Sequence, residues 1–229
     1  MSMNIYEEMN LNKLTNKTKI MYDIIIEMIT KINEKKQKKN KKPLLILGPS
    51  GVGKDTMINK LKEKYPNKFY KLPSYTTRPM RKGEKEGIDY FFITKEAFKK
   101  MEEEGKLFGI QEYNNNYYAS NKGTLKEVIN KGDKIIILNY NIETANSIKD
   151  EIKFNYIAIM PPCEKELRNR LIKRGTKPEE ITNRMNNSLR EMQLINEANY
   201  IDFRVVNDKE DTCLRKIEEH IKELYPQFF

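Results

Sequence analysis

From Pro43 onward, short apolar runs alternate with stretches in which apolar residues recur every three or four positions. The first pattern reads as strand and the second as amphipathic helix. LLILG is a short strand, DTMINKLKEKY a helix, IDYFFIT a strand and KEAFKKMEEEG a helix closing on glycine. KIIILNYN, NYIAIM and DFRVVND continue the series as strands, with helices predicted over Thr124 to Asn130, Ile142 to Glu151, Glu164 to Lys173, Pro178 to Asn199 and Glu210 to Tyr225. This alternation predicts an α/β fold, a parallel sheet flanked by helices. It is interrupted between Leu107 and Tyr118, where LFGIQEY and NYYAS flank an asparagine run and predict a hairpin in a small antiparallel insertion. Residues 1–42 follow another pattern. Ile20 to Ile32 carries Ile, Met and Tyr at helical spacing and runs into NEKKQKKNKK, which predicts an extension of one helix and a basic linker before a domain at 43–229.

Composition narrows the chemistry. The chain has 229 residues, 38% of them hydrophobic, which suits one α/β domain plus an extension. Lys and Arg number 43 against 33 Asp and Glu, a net +10 that favours anionic partners. Much of the excess lies in Lys31 to Lys42, so nucleic-acid binding is not inferred from it. The two cysteines, Cys163 and Cys213, fit neither a disulfide framework nor a metal site. With the single histidine, His220, in a charged helix, nucleophilic mechanisms that rest on histidine and His-rich metal sites lack material. No apolar stretch reaches the roughly 18 residues of a membrane span, and the first residues do not read as a leader. A cytoplasmic protein, monomer or homodimer, is expected.

The stretch GPSGVGKDT, Gly48 to Thr56, sits where strand gives way to helix. Gly48, Gly51 and Gly53 let successive N–H groups turn inward around phosphate oxygens, and the helix that starts here adds its positive end. Ser50, Gly51, Val52 and Gly53 form that cradle, and Lys54 extends toward the β and γ phosphates. Asp55 departs from the usual G-x(4)-G-K-[ST] form. Thr56 supplies a hydroxyl one residue later, but one step turns it by about 100° around the helix. Two readings of Asp55 stand side by side, favourable interaction with the helix dipole and contact with Mg²⁺.

A second constellation follows in SYTTRPMRKGEKEGIDYFF, where Arg78 and Arg81 cluster with the hydroxyls of Ser74, Thr76, Thr77 and Tyr90. Guanidinium forks and hydroxyls compose a phosphate pocket. With MPP, RLIKRGT and VVND in the same order, Pro43 to Leu224 resembles the guanylate kinase family. The resemblance implies transfer from ATP to GMP or dGMP with Mg²⁺, an acceptor-binding insertion at about 74–121 and a helical lid at about 168–190. It implies that Ser74, Arg78, Arg81, Tyr90 and Tyr118 hold the GMP phosphate, that Ser120 and Asn141 face the guanine, and that Asn207 borders the adenine. Arg170, Arg174 and Arg184 would be the lid arginines, acting with Lys54 on the transferring phosphoryl group.

Guanine presents N1–H and N2–H₂ as donors, for which acidic acceptors are natural readers. Relatives place a glutamate and two aspartates there, and this sequence has Gly109, Asn139 and Asn141. Two other readings therefore remain: a kinase for another phosphorylated acceptor such as ribose 1,5-bisphosphate, and a guanylate kinase-like binding module.

Overall fold

The computed structural model describes residues 16–37, 40–113 and 115–229. Helix α1 (Asn16–Gln37) is longer than the sequence predicts and takes in part of the basic run, and it belongs to a compact unit separate from Lys41–Phe228. Residues 1–15, 38 and 39 of the expected extension lie outside the described residues, as does Asn114 of the hairpin turn.

Within Lys41–Phe228, five strands form a parallel sheet in the order β2 (Phe69–Lys71), β7 (Ile135–Asn139), β1 (Leu44–Leu47), β8 (Asn155–Met160) and β9 (Phe203–Val206). A parallel sheet covered on both faces selects uninterrupted apolar strands, and every residue of β1 is buried. Alternation along the strand then divides the core. Leu44 and Ile46 join Met57, Ile58 and Leu61 of α2 (Lys54–Lys64), Leu167 and Leu171 of α6 (Glu164–Lys173), and Ile217 and Ile221 of α8 (Glu210–Leu224). Leu45 and Leu47 pack with Ala145 and Ile148 of α5 (Ile142–Ile148) and Ile195 of α7 (Pro178–Glu197). Strand β2 was not predicted, because three residues show no period.

The second sheet has the order β4 (Tyr90–Phe92), β3 (Ser74–Thr76), β6 (Asn116–Asn121) and β5 (Leu107–Tyr113). The predicted hairpin is the antiparallel β5–β6 pair. Strand β3 was missed, and it pairs antiparallel with β6 but parallel with β4, so the insertion is mixed. Phe98 of α3 (Lys95–Glu103) packs on Leu107 and Ala119 beneath this sheet. Helix α4 (Lys122–Lys131) starts earlier than predicted, where the Asn121 side chain accepts from Thr124 N at 3.0 Å. Helix α5 is shorter than its prediction, and no helix among the described residues is long and apolar enough to cross a membrane.

The C-terminal helix is tied to α2 by a buried carboxylate. Glu218 accepts from Lys64 Nζ at 2.6 Å, Lys222 Nζ at 2.7 Å and Tyr65 Oη at 2.5 Å. Burial opposes its charge, but these donors outweigh burial and hold the carboxyl at about 2. Unfolded, a glutamate titrates near about 4.3, so this stabilisation is complete above that pH and is lost as the pH falls through about 2. Glu218→Gln should lower the thermal unfolding midpoint by several degrees near neutral pH. Its difference from wild type should shrink on acidification below about pH 4; a gap independent of pH would remove the charge from this account.

Candidate active site

The phosphate loop follows the C-terminal end of β1, at the centre of the sheet. Val52 N–H donates to Pro49 O at 3.2 Å, closing the turn. Gly53 stands at the N-cap of α2 with φ 106° and no side-chain cap, so the first N–H groups of the helix are free for an anion. A Cβ at Gly53 would lie 2.7 Å from Asn207 Nδ2, which leaves room only for glycine. Lys54 curls back over the loop and donates to Gly48 O and, at 3.2 Å, to Pro49 O. Burial lowers its pKa, while the carboxylates of Glu191 and Asp55 raise it and Arg174 lowers it further.

Asp55 is exposed in the first turn of α2 and accepts from Asn139 Nδ2 at 3.0 Å, with Lys71 Nζ 3.8 Å away. Thr56 is also exposed. Beyond Asp55 opens a cleft of about 90 Å³, lined by Asp55, Lys71, Ser74, Asp89, Tyr90, Asn139 and Tyr140 among others. The first turn of α2, through Asp55, and the second sheet, through Ser74 and Tyr90, thus face one space.

On the far side of that space, Arg78 is buried and its guanidinium forks onto Glu84 at 2.7 and 2.8 Å. It lies over the rings of Tyr90 and Phe92 at 5.1 and 5.5 Å. Tyr90 meets Tyr118 edge to face at 5.9 Å. Hydrogen bonding to Arg78 and to the Arg81 backbone N–H holds the Glu84 carboxyl at about 2. The Arg81 side chain is exposed, and only its backbone N–H bonds Glu84, at 2.7 Å. Ser120 is fully buried, accepts from Tyr140 Oη at 2.5 Å and has Ser74 Oγ at 3.4 Å. The acceptor oxygen of Asn141 is taken by Thr144 N–H at 2.8 Å, so this side chain caps α5.

Arg170 donates to Glu166 at 2.9 Å and to the Asn207 carbonyl at 2.9 Å. Asn207, buried, donates its side-chain amide to Val52 O at 2.8 Å. Arg174 lies just past the last residue of α6. Arg184, on α7, donates to Glu180 and, at 2.9 Å, to the Tyr113 hydroxyl of β5. Arg170, Arg174 and Asn207 therefore gather at the loop, whereas Arg184 reaches the second sheet.

Residues 40–224 match the family described as guanylate kinase. The chain belongs to the guanylate kinase family. Guanylate kinases of Shouchella clausii and Oceanobacillus iheyensis are 39% and 36% identical to it, each over 80% of this chain and over 92% and 88% of their own length. The solved guanylate kinase of Anaplasma phagocytophilum is 27% identical, with a TM-score of 0.60 over 79% of this chain and 84% of its own. The parallel sheet and the glycine-rich loop that follows β1 are the frame on which these side chains stand.

Sequence reasoning passed over Glu191 of α7. Its Oε2 is buried and has no hydrogen-bond partner among the described residues. Burial pushes the carboxyl up to about 7; the Lys54 ammonium pulls it down and Glu143 pushes it up. A glutamate that keeps its proton to about 7 when folded, but to about 4.3 when unfolded, favours the fold most below pH 4.3 and loses that advantage as the pH rises through 7. Glu191→Gln cannot lose a proton. Its thermal midpoint relative to wild type should therefore climb by a few degrees between about pH 4.5 and 7.5, and parallel curves would show that Glu191 does not titrate in that window.

Proposed function

We propose that the chain transfers the γ-phosphoryl group of ATP to GMP, and to dGMP, giving ADP and the nucleoside diphosphate. The observation that carries this reading is the single cleft shared by Asp55 of the phosphate-loop helix and by Ser74 and Tyr90 of the second sheet. A donor phosphate on the loop and an acceptor phosphate on the Arg78 side would meet across it.

The chemistry is an in-line displacement. An oxygen of the acceptor phosphate forms a bond to the γ phosphorus as the bond to the bridging oxygen of the donor breaks, and the electron pair leaves with ADP. Lys54 exchanges the carbonyls of Gly48 and Pro49 for phosphate oxygens, which accept more strongly because they are charged. The N–H groups at the start of α2 supply fixed dipoles toward the same charge. Glu84 holds both terminal nitrogens of Arg78 and fixes the guanidinium plane, and the N–H groups that remain would turn to an acceptor phosphate, with Tyr90 and Tyr118 beside them. Arg170 and Arg174 add positive charge near the loop. No general base is required where alignment and charge neutralisation do most of the work.

The exposed carboxylate of Asp55 suits a hard divalent cation such as Mg²⁺, and its present partners, an amide and a distant ammonium, are readily exchanged. When bound, Mg²⁺ would neutralise donor phosphate charge.

Steady-state ADP release with GMP, dGMP, AMP, UMP, CMP and ribose 1,5-bisphosphate tests the reading. Turnover with GMP and dGMP is expected, and activity confined to another acceptor, or absent with all, would overturn it. Lys54→Met should lower kcat by about a hundredfold or more, the cost of one preorganised donor. Asp55→Ser should shift the Mg²⁺ dependence of kcat more than the KM for GMP. An unchanged Mg²⁺ titration would leave Asp55 with its helix-dipole role alone.

A further inference from the structure

Two positions distant in sequence compete for one volume on the cleft wall. Gly109 lies in β5 with φ +62°, where the register with β6 shifts between Phe108 and Gln111. A Cβ built on it would stand 2.7 Å from Cζ and 2.8 Å from both Cε2 and Oη of Tyr140. None of these three contacts can be relieved at a flexible tip, because the ring is buried at 6% exposure and set edge-on to Phe108. Its hydroxyl is fixed as well, donating to Ser120 Oγ at 2.5 Å, and Ser120 in turn neighbours Ser74 at 3.4 Å. Tyr140 and Ser74 both line the cleft. Burial raises the Tyr140 pKa, so the phenol is a neutral donor at physiological pH.

The two carboxylates that line the same cleft are exposed and already hold donors of this chain. Asp55 is engaged by Asn139 and Lys71, and Asp89 accepts from the Lys85 backbone N–H at 2.8 Å. The groups joined to the buried Tyr140 hydroxyl are themselves hydroxyls, Ser120 and then Ser74, with no carboxylate hydrogen-bonded to them among the described residues. A carboxylate can accept two adjacent donors at once and binds each about twice as strongly as a neutral acceptor does. Neutral groups forgo most of that gain, so a purine with a 2-amino group has little advantage over one without it.

We propose that Tyr140 determines acceptor specificity by occupying the side-chain space of position 109, leaving a neutral wall that accepts 6-oxopurine monophosphates with or without the 2-amino group. The inference rests on the acceptor reading given above. It deepens that reading by naming the substrate class: GMP and IMP are both acceptors.

The test is kcat/KM for GMP and for IMP, measured by ADP release, in wild type and in the double variant Tyr140→Ile/Gly109→Glu. Wild type should favour GMP by less than about a hundredfold, the range of sites that do not bond the distinguishing group; sites built to bond it discriminate by about 10⁴ or more. The double variant, whose carboxylate takes the vacated space, should raise the GMP-to-IMP ratio at least about tenfold. A wild-type preference above about a hundredfold overturns the inference whether or not the variant folds. So does an unchanged ratio in a double variant that unfolds cooperatively near the wild-type midpoint. Failure of wild type to use either nucleotide is a different result, for it overturns the functional reading and the inference together.

Discussion

The side chain and backbone of Asn207 hold the phosphate loop to the rest of the molecule. Its backbone N–H extends the β8–β9 pairing by donating to Met160 O at 2.8 Å, its side-chain amide donates to Val52 O at 2.8 Å, and its carbonyl accepts from Arg170. One residue thus satisfies the loop, the sheet end and a cationic helix at once. A loop carbonyl left unpaired in this buried place would cost about 1–3 kcal/mol. Gly53 is the counterpart of that brace, since any side chain there would displace the amide. The free N–H groups at the start of α2 keep their direction because both partners are fixed.

Electrostatics around Lys54 depend on this frame. Burial alone would weaken its charge, and Arg174 acts in the same sense, while Asp55 and Glu191 restore it from two sides. The two carboxylates are not equivalent. Asp55 is in solvent, where its field is screened, whereas Glu191 is half-buried, with its Oε2 out of solvent, and holds a proton to about 7, so its support for Lys54 varies with pH near neutrality. The ammonium is thereby kept on the loop carbonyls of Gly48 and Pro49, which are neutral acceptors.

The parallel sheet was legible in the sequence because its strands are buried on both faces and read as unbroken apolar runs. Strands β2 and β3 were not, since three residues carry no period and β3 consists of Ser74, Tyr75 and Thr76, which look like pocket residues. The phosphate loop and the Arg78 segment could be read because each is contiguous. What escaped depends on pairs far apart. Position 109 reads in isolation as a lost acid, yet the structure shows a gained ring, and nothing in the spacing links Gly109 to Tyr140. Asn141 reads as a base-facing residue until its oxygen is seen to cap α5. Glu191 did leave a signal: on α7 the buried residues Ile181, Met185, Ser188 and Ile195 mark one face, and a glutamate three residues after Ser188 falls on it.

Asp55, the departure from the usual loop form, connects the two halves of the site. Asn139 ends β7, and Ile46 of the neighbouring β1 is its partner in register, so the strand that leads into the phosphate loop also sets the height of Asn139. The N-terminal turn of α2 then brings Asp55 to 3.0 Å from that amide. The aspartate reaches across, and the start of the helix favours its charge. An aspartate in place of Asn139 would set two carboxylates against each other at that distance, which is repulsive unless a cation or a proton lies between them. Asp55 and Asn139 are therefore complementary, a charged acceptor facing a neutral donor.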